Sequence, residues 1–190
     1  MKEKEPTDWK SIRKESPIDL KLFQAHFEYL QNPRNEKEVK ILRLTGPDAC
    51  NVIAIAEDGR FLLVRQYRFG TLTYTLEVPG GLMEQDEDQR ISAQRELVEE
   101  TGYTSTHWNF LTSVPSNPVY LDCFIHHWVA MGIELTDITN MDDAEDLDIV
   151  FYTLNEVLEA IKKGEINHPH TLSAFMAYFL SERSSVQISG

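Results

Sequence analysis

Apolar and polar residues alternate in short runs along most of this chain, and only a few stretches change to a helical rhythm. Over residues 23–29 the order Phe-Gln-Ala-His-Phe-Glu-Tyr places apolar side chains at almost every second position, the period of a strand with one buried face. A helix over residues 20–30 is the competing reading. Asn32-Pro33-Arg34-Asn35 breaks the run as a turn, and residues 39–44 read as the returning strand. Runs at 51–56 and 61–68 flank Asp58-Gly59, a pair that suits a hairpin turn. Residues 74–78 form another strand, closed by Pro79-Gly80-Gly81. The rhythm then lengthens, and the spacing predicts a helix over 88–101 with Ile91, Leu97 and Val98 on its apolar side. Strands follow at 108–114, 123–130 and 148–152. Thr153 with Glu156 forms a capping box that opens a helix ending at Gly164. A last amphipathic helix over 171–181 carries Leu172, Phe175, Met176 and Phe179. This order predicts an α/β sandwich, a mixed sheet between helices, preceded by a small β extension. The expected boundaries are 1–46 for the extension, 47–182 for the main domain and 183–190 for a tail.

Composition narrows the classes. A chain of 190 residues that is 42% hydrophobic and 26% charged has the make-up of a globular protein with a real core. Its net charge of −13 opposes a life on nucleic-acid backbones, which calls for a basic footprint. Cys50 and Cys123 sit in or beside apolar runs without metal-ligand spacing, as reduced packing residues of a cytoplasmic protein do. No apolar run has the length of a membrane helix, and the polar start Met-Lys-Glu-Lys-Glu-Pro is unlike a secretory leader.

The candidate chemistry lies in the 88–101 helix. Glu96, Glu99 and Glu100 are spaced i, i+3 and i+4, so their carboxylates share one arc of the helix. Like charges at that spacing cost roughly 0.2–0.5 kcal/mol per pair. Gly102 marks the helix end, so the acids also oppose the macrodipole. A compensating hard cation such as Mg²⁺, held by carboxylates and open to phosphate oxygens, would offset both penalties. A merely solvated acidic face is the alternative.

The wider pattern is Gly81, Glu87, Arg95-Glu96-Leu97, Glu99-Glu100, Gly102 and Tyr103. It resembles the Nudix box of hydrolases that cleave a nucleoside diphosphate linked to another moiety, with an aromatic Tyr103 where an aliphatic residue is more usual. The resemblance implies a Nudix-type α/β/α sandwich. It assigns Glu96, Glu99 and Glu100 as ligands of Mg²⁺ or Mn²⁺, with the Gly80 carbonyl as a further ligand. Arg95 would be a structural partner of the box carboxylates, and Glu87 would act through water or orient Arg95. Related ADP-ribose enzymes carry a catalytic glutamate on a later loop. Here that loop reads Asp142-Asp143-Ala144-Glu145-Asp146, which points to Glu145, with Asp146 or a box glutamate such as Glu99 as alternatives.

The flanks Val64-Arg65-Gln66-Tyr67-Arg68 and Thr75-Leu76-Glu77-Val78-Pro79-Gly80 look like the branch containing ADP-ribose and other nucleoside-diphosphate-sugar pyrophosphatases. In that branch the arginine matching Arg68 contacts substrate, a task that suits its planar fork of donors. Glu77 and Tyr67 are weaker candidates, and Arg65 reads as a strand-surface charge. Many ADP-ribose enzymes have Ser-Pro-Gly followed by an acid where this chain has Asn117-Pro118-Val119, which resembles relatives whose substrate is unassigned or is another sugar nucleotide. Asn117 is therefore a ligand contact or a turn residue. Trp9 either stacks on a nucleobase or packs. His168 and His170 lack a metal partner at ligand spacing and read as capping or surface residues. His126 and His127 face opposite sides of a strand. The resemblance further implies a homodimer whose N-terminal sheet helps build the partner's pocket. It favours an enzyme giving a nucleoside monophosphate and a sugar phosphate. House-cleaning of other nucleotides and a non-catalytic nucleotide sensor are the alternatives.

Overall fold

The computed structural model describes residues 8–136 and 147–181. The chain divides into two compact units, Met1–Pro47 with Pro115–Cys123, and Asp48–Val114 with Phe124–Gly190.

The first unit is built on four strands: β1 (Lys10–Lys14), β2 (Ile18–Asp19), β3 (Gln24–Gln31) and β4 (Glu38–Thr45). Residues 24–29 thus belong to a strand and not to the competing helix, and Phe23 lies just before it. β3 is central, pairing antiparallel with β1, β2 and β4. Segment 115–123 is tied to β4 by hydrogen bonds from Leu44 N–H to Tyr120 O (2.7 Å) and from Asp122 N–H to Leu44 O (3.2 Å).

The second unit contains β5 (Ala49–Ala56), β6 (Phe61–Arg68), β7 (Thr73–Glu77), α1 (Gln89–Thr101), β8 (Tyr103–Thr104), β9 (His107–Pro115), β10 (Phe124–Leu135), β11 (Leu147–Tyr152), α2 (Leu154–Lys163) and α3 (Pro169–Leu180). Its sheet runs β11-β6-β5-β10-β8, with β7 added to β6 and β9 to β10. β5 and β10 are parallel while β6 pairs antiparallel with β5, β7 and β11, so the sheet is mixed.

Strand alternation sorts two cores onto the two faces. Cys50, Val52, Ala54, Leu62, Val64, Trp128 and Ala130 meet Ala93 and Leu97 of α1. The intervening Ile53, Phe61, Leu63 and Val129 meet Val157 and Ala160 of α2 and Ala174 and Phe175 of α3. One helix on one face and two on the other make the α/β/α sandwich. α2 has the capping box in both directions between Thr153 and Glu156. α1 is capped by Asp88, whose side chain accepts from Arg90 N–H and Ile91 N–H, and ends at Gly102 with φ 73°. Ile91 departs from expectation. It stands 55% exposed, while Ser92, Ala93, Glu96, Leu97, Glu100 and Thr101 form the buried side of α1. Two of the three acids therefore lie toward the interior of the fold. Both cysteines are free and buried, and burial raises the Cys50 thiol to about 11, which makes it a packing group.

Candidate active site

The site grows from the turn that joins β7 to α1. Val52 N–H and Cys50 N–H, both of β5, donate to Pro79 O and Gly81 O at 2.9 Å, stitching this turn to the sheet. Gly80 has φ 152°, and a side chain there would collide with the backbone of Cys50. A Cβ at Gly81 would strike the Glu96 carboxylate. The two glycines therefore let the backbone pass close against both β5 and the acids of α1. Gly80 N–H donates to Glu100 Oε2 at 2.9 Å.

Arg95 organises the remaining acids. Its Nε and Nη2 each donate to Glu87 at 3.0 Å, and its Nη1 donates to Glu96 Oε1 at 2.7 Å and Glu99 Oε2 at 2.9 Å. Nη2 also donates to Leu82 O at 3.0 Å. Hydrogen bonding to Arg95, aided by Glu84 N–H, lowers the Glu87 carboxyl to about 2. The same bonds raise the Arg95 guanidinium well above its ordinary value, so it stays charged. This fork keeps carboxylates side by side that would otherwise repel.

Gly80, Gly81, Arg95, Glu96, Glu99 and Glu100 line a cavity of about 470 Å³. Arg68 of β6 lines it too, held by Glu77 of β7: Nε donates to Oε1 at 2.8 Å and Nη2 to Oε2 at 2.7 Å. Glu77 has no exposed surface. Burial alone would raise its carboxyl, but Arg68, the Thr75 hydroxyl and His168 outweigh burial and lower it. Register explains the meeting, since Val64 pairs with Glu77 and Gln66 with Thr75 across the β6–β7 hairpin, placing Gln66, Arg68, Thr75 and Glu77 on one face.

Of the residues singled out from sequence, Gly80, Glu96, Glu99, Glu100 and Arg68 meet in this cavity, with Glu77 beneath Arg68. Trp9 and Asn117 belong to the other unit. Trp9 is half-exposed, and Asn117 accepts Val119 N–H through its side chain in a local turn. Glu145, with Asp142, Asp143 and Asp146, lies outside the described residues. Gln66, Leu82, Met83 and Glu84 also line the cavity, and for Gln66 the period-two spacing from Arg68 was the available signal. The sequence suggests a cap or surface group at His168. It occupies the N-cap position of α3, but its ring makes no capping bond and Nδ1 lies 3.1 Å from Glu77 Oε2. Nothing local in sequence could reveal that contact.

The donor set fits a hard divalent ion, because it consists of carboxylates and a glycine turn packed against them. Among the described residues no three His, Cys, Asp or Glu side chains already converge on one point. Glu96 and Glu99 are drawn to Arg95 and Glu100 to Gly80 N–H, so an ion would draw them together against those donors.

Residues 45–175 match the model of the NUDIX domain. The chain is 30% identical to the methanol dehydrogenase activator of Bacillus methanolicus, over 91% of this chain and 94% of that one. It is 28% identical to an ADP-ribose pyrophosphatase of Bacillus subtilis (strain 168), over 94% and 96% of the two chains. A crystal structure of an ADP compounds hydrolase superposes with a TM-score of 0.82 at 24% identity, over 92% of this chain and 94% of that one, and shares the fold.

Proposed function

This chain belongs to the NUDIX family, as a pyrophosphatase-type hydrolase of the ADP-ribose pyrophosphatase-like branch, and we propose that it cleaves the diphosphate of a nucleoside diphosphate sugar with Mg²⁺. The products would be a nucleoside monophosphate and a sugar phosphate, with ADP-ribose and GDP-mannose as model substrates. The observation that carries this reading is the cavity in which an acid-rich helix and a clamped arginine face the same space.

Glu96, Glu99 and Glu100, with the Gly80 carbonyl, would hold Mg²⁺ or Mn²⁺. Such an ion, when bound, neutralises phosphate charge and lowers the pKa of an attacking water. The chain's own residues do the rest. Arg68 grips the diphosphate, and Glu77 contributes by fixing the plane of that guanidinium. Arg95 keeps Glu96 and Glu99 adjacent and takes no part in the bond-breaking. Glu145 serves as general base, with Glu99 the alternative among the described residues. Because phosphoryl transfer depends mainly on positioning and charge stabilisation, these parts suffice.

Trp9 serves by stacking on the base and Asn117 by meeting the ligand, and the protein works as a homodimer. The protein works in the cytoplasm on small nucleotides, apart from nucleic acid and membranes. Its free cysteines and acidic charge support this, and among the described residues no helix is long and apolar enough to cross a membrane.

The likeness to a dehydrogenase activator favours a second reading, in which the same nucleotide site regulates a partner enzyme. Phosphate release, coupled to a phosphatase, from ADP-ribose, ADP-glucose, GDP-mannose, UDP-glucose and a dinucleoside polyphosphate separates the two. Turnover of one or more diphosphate sugars supports the hydrolase. Silence across the panel from a folded, metal-binding protein moves the regulator ahead.

A further inference from the structure

Arg68 borders two cavities. Besides the acid-lined space of about 470 Å³, it lines a second of about 510 Å³ together with Thr75, Asn167, His168 and Pro169. An arginine is long and has many rotamers, and open volume on both sides does little to choose among them. Glu77 weighs on that choice, because it bonds two of the guanidinium nitrogens. Glu77 is itself held by the Thr75 hydroxyl on Oε1 and approached by His168 on Oε2.

His168 arrives from far along the chain, at the start of α3, and Thr171 of the same helix accepts Val78 N–H, next to Glu77, at 3.3 Å. Its Nδ1 is buried and 3.1 Å from Glu77 Oε2, yet the ring is turned so that no hydrogen bond is made. A modest rotation of the imidazole would aim an Nδ1–H at the carboxylate. Contacts of this kind commonly tighten only when substrate is bound. The His170 ring stands edge-on to His168 with centroids 5.2 Å apart and limits how far that ring turns.

We propose that His168 is a positioning residue: by holding the buried Glu77 carboxylate from the α3 side, it keeps Arg68 turned toward the cavity where the diphosphate binds. This rests on the reading of Arg68 as the phosphate-gripping arginine. His168 touches no substrate in this scheme. Its effect passes through Glu77 to Arg68 and is felt in binding more than in chemistry.

The test uses the full-length protein with Mg²⁺ and three variants, His168→Leu, His168→Asn and Thr75→Val. Steady-state kinetics on the best sugar nucleotide and calorimetric Kd values for ADP are read beside melting temperatures. His168→Leu should raise KM and the ADP Kd about tenfold, the scale of a lost hydrogen bond to a charged group, with kcat within about twofold. His168→Asn should restore both, because its amide can donate to Glu77. Thr75→Val should shift KM in the same direction, and it carries the test if His168→Leu does not fold. Unchanged KM and Kd in a folded His168→Leu protein overturn the proposal. So does an equal loss of kcat and melting temperature in both His168 variants, which would mark a packing role. A wild-type protein that binds ADP but turns over no sugar nucleotide would defeat the hydrolase reading alone. A weaker ADP affinity in His168→Leu would still support the positioning role.

Discussion

Arg95 and Arg68 line the same cavity, and their surroundings differ in charge balance. Arg95 is shared among Glu87, Glu96 and Glu99, so acids outnumber the cation. Arg68 meets Glu77 fork to fork, with the carboxylate wholly buried and reached also by Thr75 and His168. The first arrangement is incomplete and has the chemistry to accept another cation. The second is closed, and its job is to keep one guanidinium in place. Burial alone does not explain the split, since Glu96 and Glu100 are buried as well. The α1 acids line the cavity, where a cation can reach them, whereas the Glu77 carboxylate is turned to its own counter-charge.

The largest effect is expected at the helix end. Glu100→Gln keeps the side-chain shape and leaves a carbonyl oxygen for Gly80 N–H, so the fold should survive. Hydrolysis should fall on the order of a thousandfold, since metal charge stabilisation is worth several kcal/mol. Retained activity at saturating Mg²⁺ would remove Glu100 from the ligand set.

Arg68→Ala attacks the closed pair and should show first as lost stability. Glu77 would stay buried with its charge unmatched, at a cost of about 3 kcal/mol, the lower end for a broken buried pair because Arg68 is itself 38% exposed. For a chain of this size that is a melting point roughly 6–12 °C lower. Adding Glu77→Gln should recover part of the loss, and a double-mutant cycle measures the coupling. If Arg68→Ala melts like the wild type, the pair is not what holds the hairpin.

How much of this contrast could be read from sequence follows from distance along the chain. The α1 acids, its Asp88 and Gly102 ends and the α2 capping box are local patterns, and periodicity with cap chemistry reaches them. The β6–β7 hairpin is nearly local, so Arg68 and Glu77 were both marked, although not as partners. The link from His168 to Glu77 depends on how α3 packs, and no spacing rule spans that. β1 has every residue exposed, which removes the alternation by which a strand is recognised, so the order Lys-Ser-Ile-Arg-Lys does not reveal it. Ile91 misled in the opposite direction, because the buried side of α1 is set by small residues and two glutamates.

Metal addition acts differently on the two arginine sites, with a smaller effect. A ligand that binds only the folded state at a concentration of 100 times its Kd stabilises by about 2.7 kcal/mol. Mg²⁺ should therefore raise the melting temperature of the wild type and, more strongly, of Arg95→Ala, whose three acids have lost their shared cation. It should leave the deficit of Arg68→Ala unchanged, because the Glu77 carboxylate is closed to the cavity. Equal rescue of both arginine variants, read by differential scanning fluorimetry with and without EDTA, would erase the distinction between surplus and closed pairs.

The smallest effect isolates the arginine network without the metal. The Glu87 carboxyl stands at about 2 in the folded protein against 4.5 in a free chain, chiefly through Arg95. As pH falls, the unfolded chain takes up this proton first, so the stabilisation is fully present above pH 4.5 and is lost as pH falls toward 2. Glu87→Gln should then cost about 2 kcal/mol at pH 7, less than the shift alone implies because the glutamine oxygen still accepts from Arg95. Urea midpoints of the two proteins in EDTA should converge below pH 4.5. Glu77 also lies below its ordinary value, but that contribution is common to both proteins and cancels in the difference. A gap that stays constant down to the lowest pH at which both fold would mean that Glu87 contributes shape and not charge to the Arg95 network.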